Sequence, residues 1–301
     1  MADLTNLRIK DDDLARVLAG ERMLIEDGAM GTMLQAHGLA AGGAPGDLLN
    51  LTEPAGIAAI HRAYVEAGSE LVITNTFGAC SLKLGDAASV AEVYRAAANN
   101  VRAAGARYVA GDIGPTGELL DPYGDLEHDE AYDVFAEQAR AARDAGADVI
   151  AIETMTDLAE AEIAVRAARA ETDLPVFATM AFQENGRTVF GATPEQATET
   201  LVAAGANAVG LNCSLSPEAM RSVAQRFIVA AREAGVPVIV KPNAGLPRVE
   251  GGETIYDVEP ADFARAMADI IDDGATIVGG CCGTDERFIA ALAEVVRTRS
   301  R

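Results

Sequence analysis

The sequence is poor in cysteine, histidine and positive charge, and it has no long apolar run. Four cysteines in 301 residues are too few for the disulfide framework of a secreted domain, which favours a reducing compartment. No segment approaches the ~20 apolar residues that a membrane span needs. The N-terminus, MADLTNLRIKDDDL, is too acidic and polar for a secretory signal. These absences point to a cytoplasmic protein. Against 46 Asp and Glu stand 24 Lys and Arg, a formal net charge of −22, which argues strongly against nucleic acid because its phosphates would be repelled. The only lysines are Lys10, Lys83 and Lys241. The acidity reads either as an ordinary solvated surface or as adaptation to high salt, where ions screen self-repulsion.

What the chain does contain is a repeat. A glycine followed within a few residues by an apolar run recurs as AGERMLIED, AGSELVITN, AGARYVAGD, AGADVIAIE, AGANAVGLN, AGVPVIVKP and DGATIVGGC, with glycines at 20, 68, 105, 146, 205, 235 and 274. LPVFATMAF is an eighth run without its glycine. Each unit reads as a helix, a glycine that accepts the left-handed conformation at the helix end, and a strand covered on both faces. Helix starts follow at Thr52-Glu53-Pro54, Thr193-Pro194, Ser216-Pro217 and Thr284-Asp285-Glu286, where a hydroxyl precedes proline or acidic residues in the first turn. Ile57, Ile60 and Tyr64 form one core-facing helical stripe. Eight such units fit a single (β/α)8 TIM barrel of the α/β class, which needs roughly 250 residues. The barrel is assigned to residues 20–301, after an N-terminal helical extension over 1–19. An open doubly wound sheet is the alternative, and its site would lie at a switch point.

The polar residues decide between the two, because nearly every strand ends in one. The ends read Asp27-Gly28, Asn75-Thr76, Asp112, Glu153-Thr154, Asn212-Cys213, Pro242-Asn243 and Cys281-Cys282. Only a closed ring brings all of these to one place. Three of the four cysteines sit where an apolar run meets a loop, in GLNCS and GGCCGT. Adjacent cysteines are poor disulfide partners, since their Cα atoms lie only about 3.8 Å apart. A three-sulfur metal site fits better, because zinc favours thiolates and a catalytic zinc keeps one position open. Asp27 and Glu153 are expected to face that cation rather than simply to cap helices. GGCCGT read as a phosphate cradle would leave the cysteines unexplained. Cys80 lies beyond its strand end and is expected to be a spectator. His37, His61 and His128 are off the strand ends and are not expected to be ligands.

The motifs DGAMGTML (27–34), TNTFGA (74–79), GDIGPTGEL (111–119), ET (153–154), LNCS (211–214), PNAG (242–245) and GGCCGT (279–284) resemble the homocysteine S-methyltransferase family. Within it they are most similar to the homocysteine-binding barrel of cobalamin-dependent methionine synthases. The resemblance runs from about residue 20 to the C-terminus. It implies that Cys213, Cys281 and Cys282 bind Zn2+, with Asn243 in the fourth position until substrate displaces it. It further implies that Asp27 and Glu153 hold the ammonium of homocysteine. Backbone amides over Gly28, Ala29, Met30 and Gly31 would hold its carboxylate, with Asn75 and Asp112 also lining the substrate site.

The activity implied is methyl transfer to the homocysteine thiol, giving methionine. A free thiol near pKa 8.5 is mostly protonated at neutral pH, whereas zinc deprotonates it outright. Folate, cobalamin and reactivation modules of the full-length family members have no counterpart after the eighth helix here. The expected donor is therefore a methyl-corrinoid protein acting in trans. The alternatives are a small donor of the S-methylmethionine or betaine type, and a non-catalytic homocysteine- or zinc-binding subunit of a larger complex. The segment at 245–260, GLPRVEGGETIYDVEP, is either a solvated connection or a lid over the donor side.

Overall fold

The protein is described here from a computed structural model covering residue 4 and residues 6–38, 46–250 and 253–299. Eight parallel strands form the barrel: β1 (Leu24–Ile25), β2 (Leu71–Ile73), β3 (Tyr108–Ile113), β4 (Val149–Met155), β5 (Val176–Met180), β6 (Ala208–Asn212), β7 (Val238–Lys241) and β10 (Ile277–Val278). A short antiparallel hairpin, β8 (Arg248–Glu250) and β9 (Glu253–Ile255), rises from the connection after β7. The barrel strands run β1-β10-β7-β6-β5-β4-β3-β2. Where β1 meets β2, the Glu70 N–H donates to the Ile25 carbonyl at 2.9 Å. The Ile73 N–H donates to Asp27 Oδ2 at 3.0 Å, so a side chain helps to close the ring. The closed α/β barrel predicted from the repeat is the fold observed.

The helices form where the glycines and hydroxyls predict. All seven repeat glycines have positive φ, from 72° at Gly20 to 128° at Gly274, a conformation other residues adopt only under strain. Thr193 caps the helix Pro194–Ala204 through a full capping box, and Ser216 caps Pro217–Ala234. Two starts differ. Thr52 ends the short helix Leu49–Thr52, and Glu53 takes the N-cap position of Pro54–Ala67 without a side-chain bond. Thr284 is buried and donates to the Cys281 carbonyl at 2.7 Å, while Asp285 accepts the N–H of Arg287. The hydroxyl is thus spent on the turn carrying the cysteines rather than on the helix.

Two apolar layers hold the barrel. The larger lies between strands and helices and includes Ile57, Ile60 and Tyr64, each fully buried. The smaller fills the barrel itself: Leu24, Leu71, Tyr108, Ala110, Val149, Ala151, Phe177, Ala208, Ile239 and Ile277 meet Leu14, Val17 and Leu18 of the helix Asp12–Leu18. That helix plugs the end where the strands begin. Side chains alternate along a strand, so residues two positions beyond this interior layer also point inward. Those residues include Glu26, Asp112, Glu153, Thr179 and Lys241, and Asn212 lies four positions beyond Ala208 on the same face. No helix among the described residues is long and apolar enough to cross a membrane.

Candidate metal and substrate site

At the end where the strands finish, a cavity of about 480 Å³ is lined by residues from most of the strand ends, among them Asp27, Asn75, Asp112, Glu153, Cys213, Cys281 and Cys282. The three cysteine sulfurs lie within 4.8 Å of one another, and Cys213 Sγ is 3.8 Å from Cys282 Sγ. Tetrahedral sulfurs at ~2.3 Å from a zinc ion stand about 3.8 Å apart, so the pair already has the right span. Asn243 is buried, and its Oδ1 has no hydrogen-bond partner. Its side chain hydrogen-bonds the Cys213 thiol, so a buried carbonyl oxygen without a partner lies on a side chain that touches the sulfur cluster and is available to a cation. The donor set therefore fits zinc.

Local backbone strain presents these groups. Thr154, Cys213 and Ser214 have φ of 61°, 63° and 64°, left-handed conformations that cost of order 1–3 kcal/mol each and persist only where the surroundings enforce them. The enforcement comes from Asn212. Its Oδ1 accepts the Thr154 N–H and the Thr179 hydroxyl, both at 2.8 Å, and its Nδ2 donates to Thr154 Oγ1 at 2.7 Å and to Cys281 Sγ at 3.8 Å. One amide thus ties the ends of β4, β5 and β6 to a sulfur beyond β10. Hydrogen bonds from the Cys281 and Cys282 thiols, helped by the Ser214 N–H, pull the Cys213 thiol down to about 3. Cys281 and Cys282 are pushed up in turn, because a thiol hydrogen-bonded to that thiolate holds its proton. The cluster favours one thiolate shared by three sulfurs.

On the other side of the cavity is a buried charge cluster. Lys241 Nζ lies 2.5 Å from Glu153 Oε2 and 3.0 Å from Glu26 Oε2, with both Lys241 and Glu26 almost wholly buried. Asp27 and Asp112 are also buried, and burial pushes both carboxyls well above the usual range. Asp112 Oδ1 has no partner. The Lys241 ammonium is held well above its ordinary value, since the pull of Glu153 and Glu26 outweighs the desolvation that would lower it.

Asp27, Asn75, Asp112, Glu153 and the three cysteines are thus brought together around one cavity, whereas Asn243 is not part of its lining and meets the cluster through the Cys213 thiol. Asn75 lines the cavity, but its Nδ2 is spent on the Gly46 carbonyl at 2.9 Å. Gly28, Ala29, Met30 and Gly31 line it too, although the Ala29 N–H is already engaged by Thr284. Cys80 is buried and lies outside the sulfur cluster. His61 is packed, fully buried, with neither ring nitrogen hydrogen-bonded. The segment 245–260 is more than a solvated connection. The Tyr256 ring covers Gly283, where a Cβ would come within 2.3 Å of it, and burial beside the Cys282 thiol pushes its hydroxyl up to about 12. Sequence reasoning missed Glu26, Thr179, Lys241 and Tyr256, and it named Asn212 as a strand end without its bracing role. Glu26, Thr179 and Lys241 were within reach of the two-residue alternation that follows the interior apolar layer. Tyr256 carries no such signal.

A TIM barrel whose mouth combines a three-cysteine cluster able to hold a metal with buried carboxylates is the class these features define. A family model described as homocysteine S-methyltransferase matches residues 24–296. The chain is 35% identical to the methionine synthase of Mycobacterium tuberculosis over 97% of its own length and 26% of that protein's. It is 34% identical to the methionine synthase of Mycobacterium leprae, over 95% of this chain and 25% of that protein. It therefore spans about a quarter of the length of these curated relatives. Among solved structures it resembles the oxidised form of the homocysteine methyltransferase MmuM from Escherichia coli, with a TM-score of 0.79, 23% identity, and coverage of 94% of this chain and 99% of that one. The metallated form of that protein matches with a TM-score of 0.78. The chain belongs to the homocysteine S-methyltransferase family, a family of methyltransferases.

Proposed function

We propose that the chain binds Zn2+ through Cys213, Cys281 and Cys282, with Asn243 as the exchangeable fourth ligand, and methylates the thiol of homocysteine to give methionine. The observation that carries this reading is the orphaned Oδ1 of Asn243 beside three sulfurs at zinc-like spacing. A bound zinc would keep the substrate sulfur as a thiolate at neutral pH, which removes the need for a general base. Asp27 and Glu153, with Asp112 beside them, take the substrate's α-ammonium, since Lys241 is one cation among these three cavity-lining carboxylates. Backbone amides of Gly28, Met30 and Gly31 take its carboxylate. Together these contacts fix the sulfur in line with an incoming methyl group at about 3–3.5 Å.

The donor that fits best is a methyl-corrinoid protein acting in trans. Of the ten large apolar residues exposed among the described ones, Leu51, Phe77, Leu82, Leu119, Tyr123, Val189, Phe190, Leu246 and Val249 all belong to connections that follow the strand ends, and only Val229 lies elsewhere. An apolar rim of that kind suits a macromolecular donor better than a small sulfonium or ammonium ion. The test is a donor panel with homocysteine and zinc-loaded protein, with methionine as the measured product. Protein-bound methylcobalamin is expected to give methionine, and S-methylmethionine and betaine are not. Methionine from a small donor alone would replace the corrinoid reading. No methionine from any donor would leave a binding subunit.

A further inference from the structure

Lys241 reaches across the barrel in a way that only one neighbour permits. It ends β7, and its partner Glu26 follows β1, with β10 between them. The stem passes over Gly279, where a Cβ would lie 3.3 Å from Lys241 Cδ, 3.0 Å from Glu26 Cβ and 2.8 Å from the Asp27 carbonyl oxygen. Any side chain at 279 would crowd that path. The ammonium is thereby held at 2.5 Å from Glu153 Oε2, on a carboxylate that lines the cavity. A buried charge pair is a poor device for stability alone, since its desolvation cost rivals its attraction. Here Lys241 lies on the wall of the substrate cavity beside Glu153, and Glu26 anchors it from behind.

We propose that Lys241, anchored by Glu26, is a positioning residue that aims Glu153 at the substrate's α-ammonium and so makes the site select α-amino thiols over thiols lacking that group. The proposal rests on the reading of Glu153 as an ammonium contact. An ammonium cannot itself hold the substrate's ammonium, so Lys241 acts on that group through Glu153. It fixes one carboxylate oxygen, so Glu153 meets an incoming ammonium without first giving up rotamer freedom. A carboxylate held in this way discriminates by charge and by geometry together.

The test uses zinc-loaded full-length chain and calorimetric titration with homocysteine and with 4-mercaptobutanoate, which lacks the amino group. The variant is E26Q/K241M, which removes the anchor and the lysine together and leaves Glu153 without the partner that orients it. The wild type is expected to prefer homocysteine. The variant should lose about 10–100-fold of homocysteine affinity, the value of one well-placed charged contact. Its affinity for 4-mercaptobutanoate and its zinc content should be unchanged. In an E153Q background the same two substitutions should add no further loss, because they act through Glu153. Equal weakening for both thiols, additive losses with E153Q, unchanged discrimination, or failure of the variant to fold or hold zinc would each overturn the positioning role. A wild type that does not distinguish the two thiols would instead refute the ammonium contact on which the proposal rests.

Discussion

The carboxylate of Asp27 accepts the backbone N–H of Ile73 at 3.0 Å, where β1 and β2 approach without a strand pairing of their own. One side chain therefore serves both the closure of the barrel and the substrate cavity that it lines. The two roles separate by substitution. Asp27→Asn keeps an acceptor oxygen for Ile73 and removes a carboxyl that burial holds well above its ordinary range, so homocysteine affinity should fall while the thermal midpoint at neutral pH is kept or raised. Asp27→Ala should also cost roughly 1–3 kcal/mol of stability, because the Ile73 donor loses its buried partner. Thermal melts beside calorimetric titration resolve the two. Equal destabilisation by both variants would count against the closure role.

Asp112 is buried with one oxygen unpartnered, and burial raises its carboxyl well above the ordinary range. A raised folded value means that the stability linked to this group is present below the ordinary carboxylate pKa and lost as the pH rises through the folded one. At neutral pH the charge is a liability. Asp112→Asn should therefore stabilise the substrate-free protein by about 1–2 kcal/mol at pH 7.5, and the gain should fade on acidification. Homocysteine binding should weaken in the same variant. Denaturant midpoints measured across pH check the sign.

Asn212 holds three strand ends and a cysteine sulfur together. Asn212→Ala should cost roughly 2–4 kcal/mol, since it strips several buried bonds at once. It should also lower zinc affinity about 10–100-fold by freeing the left-handed turn at Cys213. Chelator competition reads the second effect directly. Asn212→Asp retains the acceptor oxygen but loses the donor to Cys281, and it should fall between the two.

His61 has both ring nitrogens buried without partners, and burial lowers it from 6.5 to about 3. The unfolded chain then takes up a proton that the folded one refuses, so stability falls as the pH drops below about 6.5 toward 3. Relative to His61→Leu, the wild type should lose about 1.4 kcal/mol per pH unit through that window. Parallel pH profiles for the two proteins would show instead that the ring finds a partner.

Replacing residues 247–255 by a short glycine linker, with Tyr256 kept, should reduce turnover with a protein donor and spare homocysteine binding. Tyr256 packs on Gly283 and lies beside the Cys282 thiol, whereas Val249 on the hairpin is exposed. Comparing kcat/KM for the donor with homocysteine affinity tests it. Equal losses in both would remove the hairpin from donor docking.

Much of this protein is written in local sequence. Glycines with left-handed backbone and runs of buried β-branched residues fixed eight strands and their order, because helix ends and strand cores are short-range choices. The cysteines in LNCS and GGCC could be read as one metal site because barrel closure sends every strand end to the same mouth. Thr52 and Thr284 were less legible. A hydroxyl before an acidic or proline residue is a capping signal only if no stronger tertiary partner claims it, and at Thr284 the Cys281 carbonyl does.

What only the tertiary structure decided is which polar side chains face inward and whom they meet. Lys241 and Glu26 lie 215 residues apart in sequence (241 minus 26) and become partners because β10 enters between β7 and β1 with a glycine at the crossing. Asn212 looks like the neighbour of a ligand in the sequence, but in three dimensions it braces Thr154, Thr179 and Cys281. Apolar residues determine the fold through local periodicity. Charged and amide groups are paired by distance in space, and that distance exists only once the barrel has closed.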